Sequence, residues 1–338
     1  MADTSSGTDA AKRLRPRVMV TRALPDATMD RLDALFRTTN NRGDQTLDRR
    51  QLADAMTACD VLVPTVTDRI DADLIASAGP DLRLIANFGN GVDHIDLRAA
   101  RSRGIVVTNT PGVLTEDTAD MAMALILALP RRLAEGERLA RSGGWTGWRP
   151  GAMLGNRIAG KTLCILGMGR IGQAVARRAR AFGLSLCYHN RRRLPAALEE
   201  ELHARWLPDP DALMSEADIL SIHAPHTPET EGMLDARRLA LLRRHTFLVN
   251  TARAQIIDQE ALIDALQNGR MAGAALDVYW REPLIDPRLL AAENVILLPH
   301  TASSTVEARL ATGEKVIANI RAWADGHRPP DQVLEGWV

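Results

Sequence analysis

Three side chains that can hold anions or move protons follow three successive apolar segments late in the chain. Arg253 follows Val249-Asn-Thr-Ala, Glu282 lies shortly after Ala275-Leu-Asp, and His300 closes Leu297-Leu-Pro-His. Ligands of open parallel sheets bind beyond the carboxyl ends of the strands, so these three groups would meet at one sheet edge. Each alone would be an ordinary surface or capping residue, but their joint placement favours a catalytic set.

The chemistry that suits this set is the reduction of a 2-oxoacid. Arg253 can bind the substrate carboxylate and polarise the keto oxygen through its fork of donors. His300 can donate a proton to that oxygen as hydride arrives at the carbon. Glu282 can hold the imidazole and stabilise its charged form.

A glycine loop indicates where the hydride comes from. An apolar, strand-like run leads into Gly167-Met-Gly169-Arg170-Ile171-Gly172, and a helical pattern leaves it. The three glycines would permit, in order, a tight turn, close backbone approach to a pyrophosphate, and close packing of helix on strand. The anion would lie at the helix N-terminus. Three such glycines could be a chance turn, but the strand–turn–helix context predicts a dinucleotide site.

The next strand ends in a basic turn, Asn190-Arg191-Arg192-Arg193. An NAD site usually places Asp or Glu about 20 residues after the glycines, where it accepts from the ribose 2′-hydroxyl. Asn190 and the three arginines favour a 2′-phosphate instead, because guanidinium groups bind phosphate well. We therefore predict NADP(H) as the preferred cofactor, with NAD(H) as the other cofactor that the site could use. The alternative is a solvated basic turn.

The elements that must position these residues are alternating strands and helices, typical of α/β domains with parallel sheets. The length of 338 residues predicts two domains. Short apolar runs at 18–20, 61–63, 82–86 and 105–107 form a first series. The second series has six candidate strands, at 162–166, 184–189, 219–222, 246–250, 272–277 and 295–298.

The connecting patterns include one long helix, at 116–141, with Thr115 as its N-cap. A glycine-rich connection with Trp145 and Trp148 follows at 143–160, and a last helix is predicted at 305–324.

Composition and charge exclude several classes of protein. A net charge of +0 argues against a nucleic-acid partner. The longest apolar run, 121–129, is far shorter than the roughly 20 residues of a membrane span. Residues 1–15 lack the apolar core of a signal peptide, so we expect a cytoplasmic protein. Of the three cysteines, Cys164 and Cys187 are expected to be buried hydrophobes, and no metal site is expected.

From about Arg17 to the last helix, the chain resembles the D-2-hydroxyacid dehydrogenase family. Besides the glycine loop, the matching segments are Asn90-Gly-Val-Asp-His-Ile-Asp96, Gly112-Val-Leu-Thr-Glu-Asp-Thr-Ala-Asp120, Ser221-Ile-His-Ala-Pro-His-Thr-Pro-Glu-Thr230, Asn250-Thr-Ala-Arg253, Leu276-Asp-Val-Tyr279 with Glu282-Pro283, and Pro299-His300. The resemblance implies two doubly wound parallel-sheet α/β domains, with a Rossmann cofactor domain inserted in a flavodoxin-like substrate domain. The substrate domain would comprise 1–114 and 301–338, and the cofactor domain 115–300 with its dimerisation helix. It also implies a homodimer.

The resemblance implies roles for further residues. The loop at Asn90-Gly91 would offer backbone amides to the substrate carboxylate, together with Arg253 and His300. Asp277 would face the cofactor carboxamide. Beyond the glycine loop and the basic turn, the remaining residues implied to line the cofactor are Thr118, His223, Ala224, Pro225, Thr230, Thr251 and Ala252.

Within the family, the turn Tyr188-His-Asn-Arg-Arg192 and the segment Gly143-Gly-Trp-Thr-Gly-Trp148 are most similar to glyoxylate and hydroxypyruvate reductases. That tryptophan segment either reaches a partner subunit's pocket or is a packed loop. Ala254, Trp280 and Thr301 depart from the family pattern and leave the substrate open. The alternatives are another branch, such as phosphoglycerate, formate or phosphite oxidation, and a non-catalytic, cofactor-sensing protein similar to the family's corepressors.

Overall fold

A computed structural model describes residues 15–334, which belong to two compact units. One unit runs to Leu114 and resumes at Ser304, and the other is Thr115–Ser303. The absence of a signal peptide, predicted from residues 1–15, therefore rests on a segment that lies outside the described residues but for Arg15. Within the described part, none of the helices has the length and apolarity needed to cross a membrane.

Twelve strands and thirteen α-helices are described within residues 15–334. The strands are β1 (Arg17–Val20), β2 (Arg37–Asn40), β3 (Val61–Val63), β4 (Leu84–Ala86), β5 (Val106–Thr108), β6 (Thr162–Leu166), β7 (Ser185–His189), β8 (Ala204–Trp206), β9 (Ile219–Ile222), β10 (Phe247–Asn250), β11 (Gly273–Leu276) and β12 (Val295–Leu297). The helices are α1 (Asp26–Leu35), α2 (Arg49–Ala58), α3 (Ala72–Ser77), α4 (Leu97–Ser102), α5 (Thr115–Ala128), α6 (Leu133–Arg141), α7 (Arg170–Ala181), α8 (Ala196–Leu202), α9 (Pro210–Glu216), α10 (Ala236–Leu239), α11 (Gln259–Gln267), α12 (Pro287–Leu290) and α13 (Val306–Ala324).

The first unit is built on a five-stranded parallel sheet in the order β2-β1-β3-β4-β5. This is the flavodoxin-like order. Every residue of β3 and β4 is buried, as expected of strands whose two faces are both covered by helices. Helix α13 returns to this sheet and packs so closely on α1 that a Cβ at Gly313 would lie 2.2 Å from Thr28 Oγ1.

The second unit is built on a seven-stranded sheet in the order β12-β11-β10-β9-β6-β7-β8, and all its pairs are parallel. The chain enters this sheet at the interior strand β6, fills one side with β7 and β8, and then crosses to β9 on the other side. The strand order thus reverses at β6, and in such sheets the crevice at the reversal is where ligands bind. The predicted fold class, two doubly wound parallel-sheet units, is confirmed.

The structure corrects the long helix predicted at 116–141. Two helices, α5 and α6, occupy this stretch, separated by a turn that contains Pro130 and by Arg132 at φ 54°. Proline lacks the N–H that a continuing helix needs, and its ring clashes with the preceding turn. Thr115 is the first helical residue rather than the N-cap.

Two edge strands, β2 and β8, were missed because their sequences are polar and short. The connection that follows α6 has no helix or strand, and in it Trp145 and Trp148 are 63% and 81% exposed. Cys164 and Cys187 are buried free thiols, as predicted.

Candidate active site

The loop after β10 is held by the last residue of that strand. Asn250 is fully buried; its Nδ2 donates to the Arg253 carbonyl at 2.9 Å, and its Oδ1 accepts from the Ala252 N–H at 3.0 Å. One side chain therefore fixes the course of the loop up to Arg253. The next residue, Ala254, starts a short 3-10 helix and has no positive φ, so this position does not require a glycine.

The segment after β11 carries Glu282 and is tied to the end of β12. The Tyr279 N–H donates to Glu282 Oε1 at 3.0 Å, and the Tyr279 hydroxyl donates to the Leu298 carbonyl at 2.7 Å. The other carboxylate oxygen, Glu282 Oε2, lies 2.7 Å from His300 Nδ1. The carboxylate is thus oriented by a backbone amide on one side and holds the imidazole on the other.

His300 has φ 53°, in the left-handed region that non-glycine residues seldom adopt. The residues after it are fixed by Asp277, which is fully buried. Its two oxygens accept from the Thr301 and Ala302 N–H groups, each at 2.7 Å. Burial raises the pKa of Asp277, and these hydrogen bonds offset only part of that rise. Asp277 therefore stabilises the unusual backbone that carries the imidazole.

The pKa of Glu282 depends on both of the other predicted catalytic residues. Burial raises the pKa of this carboxyl, but the hydrogen bond and charge of His300, the Tyr279 N–H and the charge of Arg253 outweigh it, so the net pKa is lowered. Glu282 is consequently a carboxylate at neutral pH and accepts from His300 Nδ1. That leaves His300 Nε2 as the ring nitrogen that can exchange a proton with a ligand.

The glycine loop follows β6 and leads directly into α7, with Gly169 at the N-cap. Gly167 has φ 97°, and a Cβ there would lie 2.4 Å from the Ala224 nitrogen. A Cβ at Gly172 would lie 2.4 Å from the Gly167 carbonyl oxygen, whereas one at Gly169 would meet nothing within 4 Å. Two glycines are thus required by packing, and the third leaves open space at a helix N-terminus, which fits a bound pyrophosphate.

The basic turn after β7 divides into two parts. Asn190 Oδ1 accepts from the Met168 N–H at 2.6 Å, so this side chain supports the glycine loop. Arg193 donates to both oxygens of Glu199, at 2.7 and 3.0 Å, and stacks over the Trp206 ring. The sequence interpretation counted three arginines for phosphate, but Arg193 is a structural residue. Arg191 and Arg192 are exposed, and the charge of Arg191 contributes to lowering the pKa of Glu229.

Other residues predicted to line the cofactor surround the same edge. Burial lowers the pKa of His223 to about 4, so the ring is neutral, and its Nε2 lies 2.8 Å from Ser221 Oγ. Thr230 Oγ1 donates to the Pro225 carbonyl at 2.7 Å. Thr251 Oγ1 is buried and has no hydrogen-bond partner among residues 15–334. A buried hydroxyl without a partner is unfavourable unless a ligand or water supplies one, which again fits a bound cofactor.

Two further residues were predicted to line the cofactor. Thr118 is buried in α5, and Ala252 is half-buried next to Thr251. The predicted substrate loop, Asn90-Gly91, lies in the first unit after β4. The departure of Trp280 from the family pattern has a structural explanation, since its Nε1 donates to the Ile257 carbonyl at 2.8 Å.

Within the described range, no group of three or more His, Cys, Asp or Glu side chains could hold a metal ion.

The sequence did not predict the residues that hold the loops of Arg253, Glu282 and His300. Neither Asn250 nor Tyr279 was expected to have this role. The signal that could have found Asn250 is a polar residue that directly ends an apolar parallel strand, where burial forces its side chain to find backbone partners.

Comparison with known proteins gives consistent similarities. Residues 123–302 match the family model described as D-isomer specific 2-hydroxyacid dehydrogenase, NAD binding domain. A glyoxylate reductase of Thermococcus litoralis is 42% identical, over 95% of this chain and 97% of its own. Another, of Aeropyrum pernix, is 44% identical over 94% and 96%. A solved structure of an NADPH-dependent glyoxylate/hydroxypyruvate reductase from Sinorhizobium meliloti, in complex with NADP and malonate, is 36% identical, with a TM-score of 0.85 over 95% of this chain and 97% of that one.

Proposed function

We propose that this chain, which belongs to the D-isomer-specific 2-hydroxyacid dehydrogenase family, reduces glyoxylate or hydroxypyruvate to the D-2-hydroxyacid. NADPH is the preferred cofactor, and NADH the other one that it could use. The observation that carries the proposal is the contact of 2.7 Å between Glu282 Oε2 and His300 Nδ1, made beside Arg253. Reductases among the relatives support it.

The nicotinamide cofactor, when bound, supplies the hydride to the keto carbon. The guanidinium of Arg253 binds the substrate carboxylate and the keto oxygen, which orients the carbonyl and stabilises the negative charge that develops on it. His300 donates a proton to that oxygen from Nε2. Glu282 accepts a charge-assisted hydrogen bond from Nδ1, which fixes the ring and leaves Nε2 to act on the keto oxygen.

The unit Thr115–Ser303 is proposed as the cofactor unit. Gly169 and the N-terminus of α7, with Arg170 and Ile171, would hold the pyrophosphate. Arg191 and Arg192 would hold the 2′-phosphate, and the unpartnered hydroxyl of Thr251 would gain a ligand partner. The other proposed lining residues are Thr118, Gly167, Gly172, Asn190, His223, Ala224, Pro225, Thr230 and Ala252.

Asp277 is proposed to accept from the cofactor carboxamide as well. Its two oxygens each accept one backbone N–H already, and a carboxylate oxygen has a further lone pair for a second donor. The unit that contains Asn90 and Gly91 is proposed as the substrate unit, with backbone amides of that loop on the substrate carboxylate. We also propose a cytoplasmic homodimer.

The test is a panel of glyoxylate, hydroxypyruvate, pyruvate and phenylpyruvate, each assayed by oxidation of NADPH and of NADH. We expect the first two to have the highest kcat/KM and NADPH the lower KM. His300→Ala should lose about 10²-fold or more in turnover with unchanged cofactor binding. A clear NADH preference would refute the cofactor proposal. Tight cofactor binding with no turnover of any 2-oxoacid would favour the corepressor-like alternative.

A further inference from the structure

The loop after β4 has its backbone fixed by side-chain amides. Asn87, the first residue after the strand, is 1% exposed. Its Nδ2 donates to two carbonyls of the loop, those of Gly89 at 3.0 Å and Gly91 at 2.9 Å. The carbonyl between them, that of Asn90, accepts from Asn109 Nδ2 at 2.8 Å. Three consecutive carbonyls are therefore held by two asparagine side chains.

The orientation of these carbonyls determines that of the amides. In a planar trans peptide, the C=O of one residue and the N–H of the next point in opposite directions. The N–H groups of Asn90, Gly91 and Val92 therefore each point away from the asparagine that holds the carbonyl of the same peptide. Successive backbone N–H groups can together bind an anion.

Each asparagine is itself held in place. Both amide hydrogens of Asn87 are taken by carbonyls, so its oxygen faces His94 Nε2, 3.1 Å away, which must carry the proton. Asn109 is fixed through its backbone, because its N–H donates to the Asp331 carbonyl at 3.2 Å. Asp331 in turn is bound by Lys315 of α13 at 2.9 Å.

We propose that Asn87, His94 and Asn109 are positioning residues that turn the amides of residues 90–92 toward the substrate carboxylate. The inference rests on the proposed function, because it takes a 2-oxoacid carboxylate as the anion. His94 sets the orientation of the Asn87 amide. None of the three needs to touch the substrate.

The test is Asn87→Asp in the full chain, which keeps the size of the side chain but removes both donors and sets a carboxylate oxygen against two carbonyls. The KM for glyoxylate should rise about tenfold or more, with kcat within about threefold and the NADPH dissociation constant unchanged. Inhibition by oxalate should weaken in parallel. Asn109→Asp, which affects one carbonyl, should raise KM less, and it serves as the second variant if Asn87→Asp does not fold.

The matched control is Asn41→Asp. Asn41 lies in the same unit, and its Nδ2 donates to a carbonyl in each of two other loops, those of Thr21 at 2.8 Å and Gln45 at 2.6 Å. It should match the wild type in KM even if its Tm falls. An active wild type with unchanged KM in both Asn87→Asp and Asn109→Asp refutes the inference alone. A wild type that reduces no 2-oxoacid refutes the proposed function, and the inference with it.

Discussion

Replacing Glu282 with Gln isolates the charge of this carboxylate from its orienting role. The amide oxygen of Gln can still accept from His300 Nδ1, so the ring can keep its tautomer, and the volume of the side chain is almost unchanged. What disappears is the negative charge 2.7 Å from the imidazole nitrogen. Removing that charge weakens the hydrogen bond that holds the proton-donating ring, so kcat for reduction should fall.

The expected size of this loss follows from the exposure of the pair. Two unit charges at about 4 Å attract by roughly 1 kcal/mol in water and roughly 4 kcal/mol at an effective dielectric constant of 20. The side chains of His300 and Glu282 are 31% and 34% exposed, so solvent screens them and the lower part of that interval applies. An attraction of about 1.4 kcal/mol corresponds to about a tenfold change in rate.

The assay is kcat for glyoxylate reduction at neutral pH, with saturating NADPH, in the wild type and Glu282→Gln. The variant should lose about tenfold in kcat and keep its affinity for NADPH. Asp218→Asn is the control, because Asp218 also pairs with a histidine, His245, at 2.8 Å. It should leave kcat unchanged. If Glu282→Gln keeps the wild-type kcat, the carboxylate only orients the ring and its charge has no role.

Three other predictions concern binding. Arg253→Ala should both raise the KM for glyoxylate and lower kcat, since the guanidinium is proposed to bind ground state and transition state; an effect on KM alone would contradict its role on the keto oxygen. Gly169→Ala should weaken NADPH binding with little change in Tm, whereas Gly172→Ala should lower both the affinity for NADPH and the Tm. Only the Cβ at position 172 meets backbone, at 2.4 Å. Fluorescence titration measures the binding and thermal melting the stability, and equal losses of Tm in the two variants would contradict this account. Arg191→Ala should raise the KM for NADPH and not for NADH, while Arg193→Ala should lower Tm instead, and a reversal of these effects would overturn the assignment of the turn.

The sequence predicted the interior of both sheets because buried parallel strands are short, nearly continuous apolar runs. All six candidate strands of the second unit overlap observed ones. The edge strands β2 and β8 were not predicted, because their sequences have little apolar character and include exposed residues. These sequences are Arg37-Thr-Thr-Asn40 and Ala204-Arg-Trp206. The break between α5 and α6 escaped because the apolar pattern continues across Pro130, although proline itself was a visible signal.

The candidate site was predictable to the level of which side chains arrive at the sheet edge. Arg253, Glu282 and His300 each follow a strand, and the sequence shows this directly. What the sequence did not show is which side chains bind the backbone of the same loops. The sequence also could not show that Arg193 has a different role from Arg191. That difference depends on Glu199 of α8, which only the fold brings to Arg193.

Three residues that hold loops of the site share one position in the fold. Asn87, Asn250 and Asp277 each end, or directly follow, an apolar strand, and each is between 0% and 1% exposed. At that position a polar side chain is covered by the sheet, so it must bind backbone groups of the neighbouring loops. The residue type then decides which face of the loop stays open. The amide donors of Asn87 hold carbonyls and leave N–H groups for an anion, whereas the carboxylate of Asp277 holds N–H groups and fixes the residues after His300. An Asn or Asp that directly ends an apolar strand therefore indicates the polarity of the ligand group that the loop bound by its side chain can meet.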